Sequence, residues 1–101
     1  MKQIVLISPL DSIEVFKQLG FDTLVSSSPV EIEKYIRANL MNTKVFVYDL
    51  TLKEIIRPIK DEYKTNAFPI FLALAFEEDQ IEASLAEANR QIENAVGVKI
   101  E

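Results

Sequence analysis

Four short runs of apolar and β-branched residues alternate with helical patterns along this chain of 101 residues. The runs read KQIVLIS, DTLVS, KVFVYDL and FPIFLALAF, and one more helical pattern follows the fourth run. Strands that alternate with helices indicate an α/β fold, because neighbouring parallel strands need a helical crossover between them. We therefore predict an α/β globular domain over residues 1–76 and a C-terminal acidic helix or arm over residues 77–101.

Right-handed crossovers restrict how these strands can be ordered in a sheet. We predict a four-stranded parallel sheet of order 2-1-3-4, similar to Rossmann and receiver folds, flanked by helices. The first helix then lies on one face, the second and third on the other, and only the last helix can cover strands three and four beside the first. Pro69 places the fourth strand at the sheet edge, although its apolar sequence is typical of a strand that is buried on both faces.

Several residues mark where the first two helices begin and end. The first helix is expected to start with Ser8 or Asp11 as its cap and to stop at Gly20. The second is expected to start with Ser28 as its cap, with Glu31 completing a capping box. The third pattern contains Pro58, which predicts a kink or a new turn there.

The net charge of −5 is concentrated at one end of the chain. Residues 77–101 carry seven of the sixteen acidic and two of the eleven basic residues, so residues 1–76 are neutral. Nucleic acid is not an expected partner, because binding it requires a basic surface. The acidic segment fits either a solvated helix or a helix that seeks a basic groove on a partner.

Composition narrows the chemistry and the cellular location further. The chain contains no cysteine and no histidine, so thiol and imidazole catalysis are excluded, and we expect no metal site and no cofactor. The longest apolar run, residues 67–76, is too short to span a bilayer. We expect a cytoplasmic protein without direct membrane insertion.

The last helix carries a narrow apolar stripe at coiled-coil spacing, sustained for little more than two heptads. Burying its larger side chains stabilises by about 6–12 kcal/mol, whereas docking on another protein costs an estimated 4–15 kcal/mol. The helix can therefore lie on its own sheet or bind a partner, and neither state is favoured by a wide margin. The candidate partner-binding residues are Ile81, Leu85, Ala88, Ile92 and Val96.

Asp49 closes the third strand, which is where receiver domains of two-component signalling carry their phosphoacceptor aspartate. The companion acidic, hydroxyl and lysine residues that this chemistry needs are missing from the corresponding segments. A helix-capping role before LTLKEI explains Asp49 more simply. We predict no catalytic residue.

The order of several motifs resembles the family of small central-stalk subunits of archaeal and bacterial V-type (A-type) rotary ATPases and ATP synthases. The strand IVLI, the turn SPLDS and the helix end FKQLGF follow the family's opening, although Ser8 and Pro9 replace its usual Gly-Asp and only Asp11 remains. FPIFLALAF matches a strand that opens with proline, and IENAVGVKIE matches the family's close at Gly97 and Ile100.

This resemblance implies a non-catalytic rotor subunit whose last helix lies along the coiled-coil shaft of the central stalk, in contact with the other subunits of the rotary ATPase. It would contribute to coupling of ATP turnover to proton or sodium transport, and the five stripe residues would contact the shaft. It would be peripheral to the membrane as part of the ATPase complex. Two alternatives stay open: a receiver-like phospho-signalling module that uses Asp49, and a stand-alone protein-interaction domain with the last helix packed on its sheet.

Overall fold

A computed structural model describes residues 4–76 and 78–96 and contains one all-parallel sheet. Its strands are β1 (Ile4–Ser8), β2 (Asp22–Val25), β3 (Val45–Asp49) and β4 (Ile70–Leu74). They are ordered β2-β1-β3-β4, and each neighbouring pair is parallel. The predicted fold class and strand order are confirmed.

The helices cover the two faces of this sheet as the crossover rule requires. A 3₁₀ helix (Asp11–Leu19) and α3 (Ile81–Val96) pack on one face, and α1 (Pro29–Ala38) and α2 (Lys53–Glu62) pack on the other. Alternate residues of each strand point to opposite faces, so β1 and β3 supply both cores. The first core includes Leu6, Phe16, Val47 and Ile92; the second includes Ile7, Ile36, Phe46 and Ile56.

The first helix differs from the prediction in type and in how it begins. It is a 3₁₀ helix rather than an α-helix, and Leu10 precedes it without a side-chain cap. Ser8 is the last residue of β1, and its hydroxyl oxygen accepts from the Leu10 N–H at 3.1 Å. The predicted cap at Ser8 or Asp11 is therefore wrong. The stop at Gly20 is confirmed, since Gly20 has φ of 94°, a left-handed conformation that glycine adopts without strain.

The start of α1 follows the predicted capping box only in part. Ser28 accepts a hydrogen bond from the Glu31 N–H at 3.2 Å, as predicted. The Glu31 carboxylate instead accepts from the Ser26 hydroxyl at 2.6 Å, and that hydroxyl accepts from the Ser28 N–H at 3.0 Å. In a capping box the Glu31 carboxylate would accept from the Ser28 N–H, and here the Ser26 hydroxyl accepts from it instead.

Two predictions concern prolines. α2 is a single helix that includes Pro58, so no new helix begins there, and the buried Ile56 and Ile59 on either side pack it against the sheet. Pro69 lies directly before β4, which is an edge strand as predicted. β4 is not buried throughout, however: Leu72 is only half-buried, because no described strand lies beyond β4.

Among the described residues, no helix is long and apolar enough to cross a membrane.

Candidate functional site

The C-terminal helix α3 lies on the face of the sheet that the 3₁₀ helix leaves open. Ala88 and Ile92 are 3% and 0% exposed and belong to the same core as Leu74 and Phe76. Their separation of four residues places them on one side of the helix. The sheet itself therefore covers this part of the predicted partner-binding stripe.

The five predicted contact residues are not all described equally. Ala88 and Ile92 face the sheet, whereas the side chains of Ile81, Leu85 and Val96 lie outside the described part of the structure. The helix backbone is continuous from Ile81 to Val96. For the two stripe residues with described side chains, contact with a partner requires α3 to leave the sheet.

The outward side of α3 is small and charged. Ala83, Ala86 and Arg90 are exposed along it. The Glu87 carboxylate accepts from Gln91 Nε2 at 2.8 Å and from the Arg90 guanidinium. These two hydrogen bonds, of which the one from Gln91 has the larger effect, hold the pKa of Glu87 below its usual range. Pairs at spacings of three and four also favour the helical state itself, so α3 has local support in addition to its packing.

A groove of about 380 Å³ runs between α3 and the carboxyl end of β4. Its floor contains Leu74 and the small Ala75. Its wall is a polar stripe that the sequence analysis did not identify, consisting of Gln80, Ser84, Glu87 and Gln91. These residues recur at the same spacing as the apolar stripe, one position earlier in each repeat. That repetition is the sequence signal that could have identified this wall.

Asp49, the candidate phosphoacceptor, lies at the carboxyl end of β3 and is 4% exposed. Its Oδ2 accepts from the Ser8 hydroxyl at 2.8 Å, so it joins the ends of β1 and β3. Its Oδ1 accepts from the Thr51 N–H at 3.0 Å and from the Thr51 hydroxyl at 3.1 Å. The predicted capping role of Asp49 is confirmed, because it caps the short 3₁₀ turn Leu50–Leu52 before α2.

We expect a single cysteine at position 88 to report whether α3 is on the sheet. The chain has no native cysteine, so the Ala88→Cys thiol is the only reactive one. Since Ala88 is almost fully buried, this thiol should react with a maleimide reagent at least about tenfold more slowly than the thiol of Ala86→Cys, which is exposed on the same helix. Intact mass measured over time gives the two labelling rates. Equal rates would show that α3 spends most of its time away from the sheet.

The described residues thus contain two candidate features. One is α3, a surface helix whose buried side packs on the sheet, and the other is the buried Asp49 carboxylate, whose two oxygens both accept hydrogen bonds. Among the described residues, no three acidic side chains lie close enough together to hold a metal ion. Comparisons of this chain with known protein-family models and with curated proteins find no match.

Proposed function

We propose that this chain is a non-catalytic central-stalk subunit of a V-type (A-type) ATPase or ATP synthase. It docks α3 on the coiled-coil shaft subunit and contributes to coupling of ATP turnover to proton or sodium transport. Its place is in the cytoplasm, peripheral to the membrane as part of the complex. The observation that carries this proposal is the position of α3, a helix at the surface of the α/β domain that packs on the sheet through Ala88 and Ile92 of the apolar stripe.

Release of α3 is the step that lets the stripe contact the shaft. Exposing Ile92 costs about 1.5–3 kcal/mol, and exposing the Ala88 methyl group costs about 0.8 kcal/mol more. A coiled coil that buries the same side chains returns a similar free energy. The balance between the two states then depends on the remaining contacts of α3 and on the partner, which is the behaviour expected of a helix that can dock or fold back.

A binding measurement with the purified shaft subunit tests this proposal, with three substitutions that probe different surfaces. Leu85→Asp places a charge in the stripe and should weaken association by at least about tenfold, because a buried unpaired charge is costly. Ala86→Arg lies on the exposed side of the same helix and should change the affinity by less than about twofold. Val30→Arg, at a position that is 75% exposed on α1, is the control on the opposite face of the sheet.

Two results would contradict the proposal. If the native chain did not bind the shaft subunit, the rotor function would be wrong. If Ala86→Arg abolished binding while Leu85→Asp did not, the helix would dock through its outer side and the stripe assignment would be wrong. Circular dichroism of each variant separates a loss of binding from a loss of folding.

A second function is favoured by one observation, the complete burial of Ile92 on the chain's own sheet. This burial fits a stand-alone protein-interaction domain in which α3 never leaves the sheet. The two functions differ in the labelling of the Ala88→Cys thiol when the shaft subunit is added. A rotor subunit would show faster labelling or complete protection by the partner, whereas a permanently closed domain would show no change.

A further inference from the structure

β4 presents an edge that no described strand covers. The Ile70 N–H donates to the Lys44 carbonyl oxygen at 2.7 Å, so the backbone groups of Ile70 point towards β3. Backbone groups of successive residues in a strand point to alternate sides. The N–H and C=O groups of Phe71 and Ala73 therefore point away from β3, and no described backbone group pairs with them.

The two edges of the sheet differ in how they are protected from further pairing. β2, at the opposite edge, contains the charged Asp22, and its Thr23 hydroxyl donates to the Glu14 carboxylate at 3.3 Å. β4 reads IFLAL and contains no charge. Natural proteins usually place charged residues, bulges or prolines on edges that must stay unpaired. After Pro69, β4 has none of the charged or proline residues that would block a further strand.

A basic groove adjoins this edge on the α2 side of the sheet. It has a volume of about 340 Å³ and is lined by Tyr48, Lys53, Arg57, Lys60 and Asp61. Tyr48 is paired in register with Ala73, so the groove lies one strand in from the free edge, on the α2 side of the sheet. Burial raises the pKa of Tyr48, and the positive charge of Arg57 acts against that rise.

The cations of this groove are only partly neutralised. Arg57 donates to the Glu54 carboxylate at 2.7 Å, and Asp61 is the one acidic residue in the lining. No described residue forms an ion pair with Lys53 or Lys60. The spacing of four and three residues places the three cations along one side of α2, where they line the groove beside Tyr48.

We propose that the β4 edge binds an extended segment of a partner protein as a fifth strand, with acidic side chains at alternate positions. Every second side chain of such a strand points to the α2 side, where it meets Lys53, Arg57 and Lys60, while its backbone pairs with Phe71 and Ala73. The charges select this occupant, because a second copy of uncharged β4 would leave the basic groove without a counter-charge. This inference is independent of the rotor function, since it concerns the strand edge and the α2 face of the sheet, opposite to α3, and a different type of contact.

Hydrogen exchange of the native chain tests the edge before any partner is added. The amides of Phe71 and Ala73 should exchange at least about tenfold faster than that of Leu72, whose N–H points towards β3. If all three amides were equally protected, the edge would already be covered and the inference would be overturned. Sedimentation over a range of concentrations tests a second copy: a dimer that Ala73→Pro disrupts would overturn it too.

A short capped peptide of alternating glutamate and valine is the probe for the partner strand. Added to the native chain, it should protect the amides of Phe71 and Ala73, and it should bind at least about tenfold more tightly than the same peptide with lysine for glutamate. Ala73→Pro removes an outward N–H while leaving the ladder to β3 intact, as prolines on edge strands do, and should abolish binding. No binding, or equal binding of the two peptides, would overturn the inference.

The charge requirement is tested separately by Lys53→Gln, Arg57→Gln and Lys60→Gln in one chain. These residues are exposed, so the fold should be retained, and affinity for the glutamate peptide should fall at least about tenfold. Lys34→Gln is the matched control, since Lys34 is exposed on α1 and does not line the groove. Unchanged affinity in the triple variant would remove the basic groove from the proposed site.

Discussion

Ile92→Ala should lower the free energy of unfolding by about 2–5 kcal/mol, although Ile92 lies on the last helix of the described chain. Ile92 is 0% exposed and lies in the core formed with Leu6, Phe16 and Val47. Truncating it removes apolar contacts and leaves a cavity that the rigid sheet beneath α3 cannot fill. Urea unfolding followed by circular dichroism measures the change.

The control for this measurement is Val30→Ala, because Val30 is 75% exposed in the first turn of α1. Its effect should stay within about 0.5 kcal/mol, as for most surface substitutions. If Ile92→Ala also changed the unfolding free energy by less than this, α3 would not belong to the cooperative unit of the domain. The buried position of Ile92 would then contribute nothing to stability.

The strand order and the placement of the helices could be predicted from sequence for physical reasons. The apolar runs are short and β-branched, and right-handed crossovers leave few ways to connect four of them. The same rules leave a face over β3 and β4 that only the last helix could cover, and Ala88 and Ile92 lie there. Local patterns and topology therefore agree on the strand order and on which face of the sheet each helix covers.

Features that depend on contacts between particular side chains could not be predicted in this way. The capping-box pattern correctly identifies Ser28 but cannot show that Ser26 is the group that Glu31 reaches, because both serines are near enough in sequence. The stripe spacing shows that Ala88 and Ile92 share one side of a helix. It cannot show which surface covers them, because burial on the chain's own sheet and burial on a partner gain similar free energy.

The position of β4 at the sheet edge could be predicted from Pro69, but the basic groove near that edge could not. Lys53, Arg57 and Lys60 appear as ordinary solvent-facing residues of an amphipathic helix. Their significance comes from the position of Tyr48 beside Ala73, which is a property of the sheet register and not of any local pattern. A prediction from one sequence contains no information on that register beyond the strand order.

The second large effect is expected from Asp49→Ala, which should lower the free energy of unfolding by about 2–3 kcal/mol. The substitution leaves the buried Ser8 hydroxyl without its acceptor and the Thr51 N–H without its cap. The Asp49 carboxylate joins the end of β3 to the end of β1 and to the short 3₁₀ turn before α2, and the substitution removes both connections. Urea unfolding of Asp49→Ala and of Ser8→Ala should show the larger loss in Asp49→Ala, because only that variant loses both contacts.

Asp49→Asn separates this structural role from the receiver-like alternative. The amide oxygen can still accept from Thr51 and the amide nitrogen can donate to the Ser8 hydroxyl, so this variant should recover most of the stability. With a small phosphodonor and Mg²⁺, the native chain should show no mass increase. Asp49 is 4% exposed, so the residues that bury its carboxylate would have to move before it could attack a phosphorus atom. A phosphoryl mass gain in the native chain that Asp49→Asn removed would make the carboxylate a nucleophile and would contradict a purely structural role.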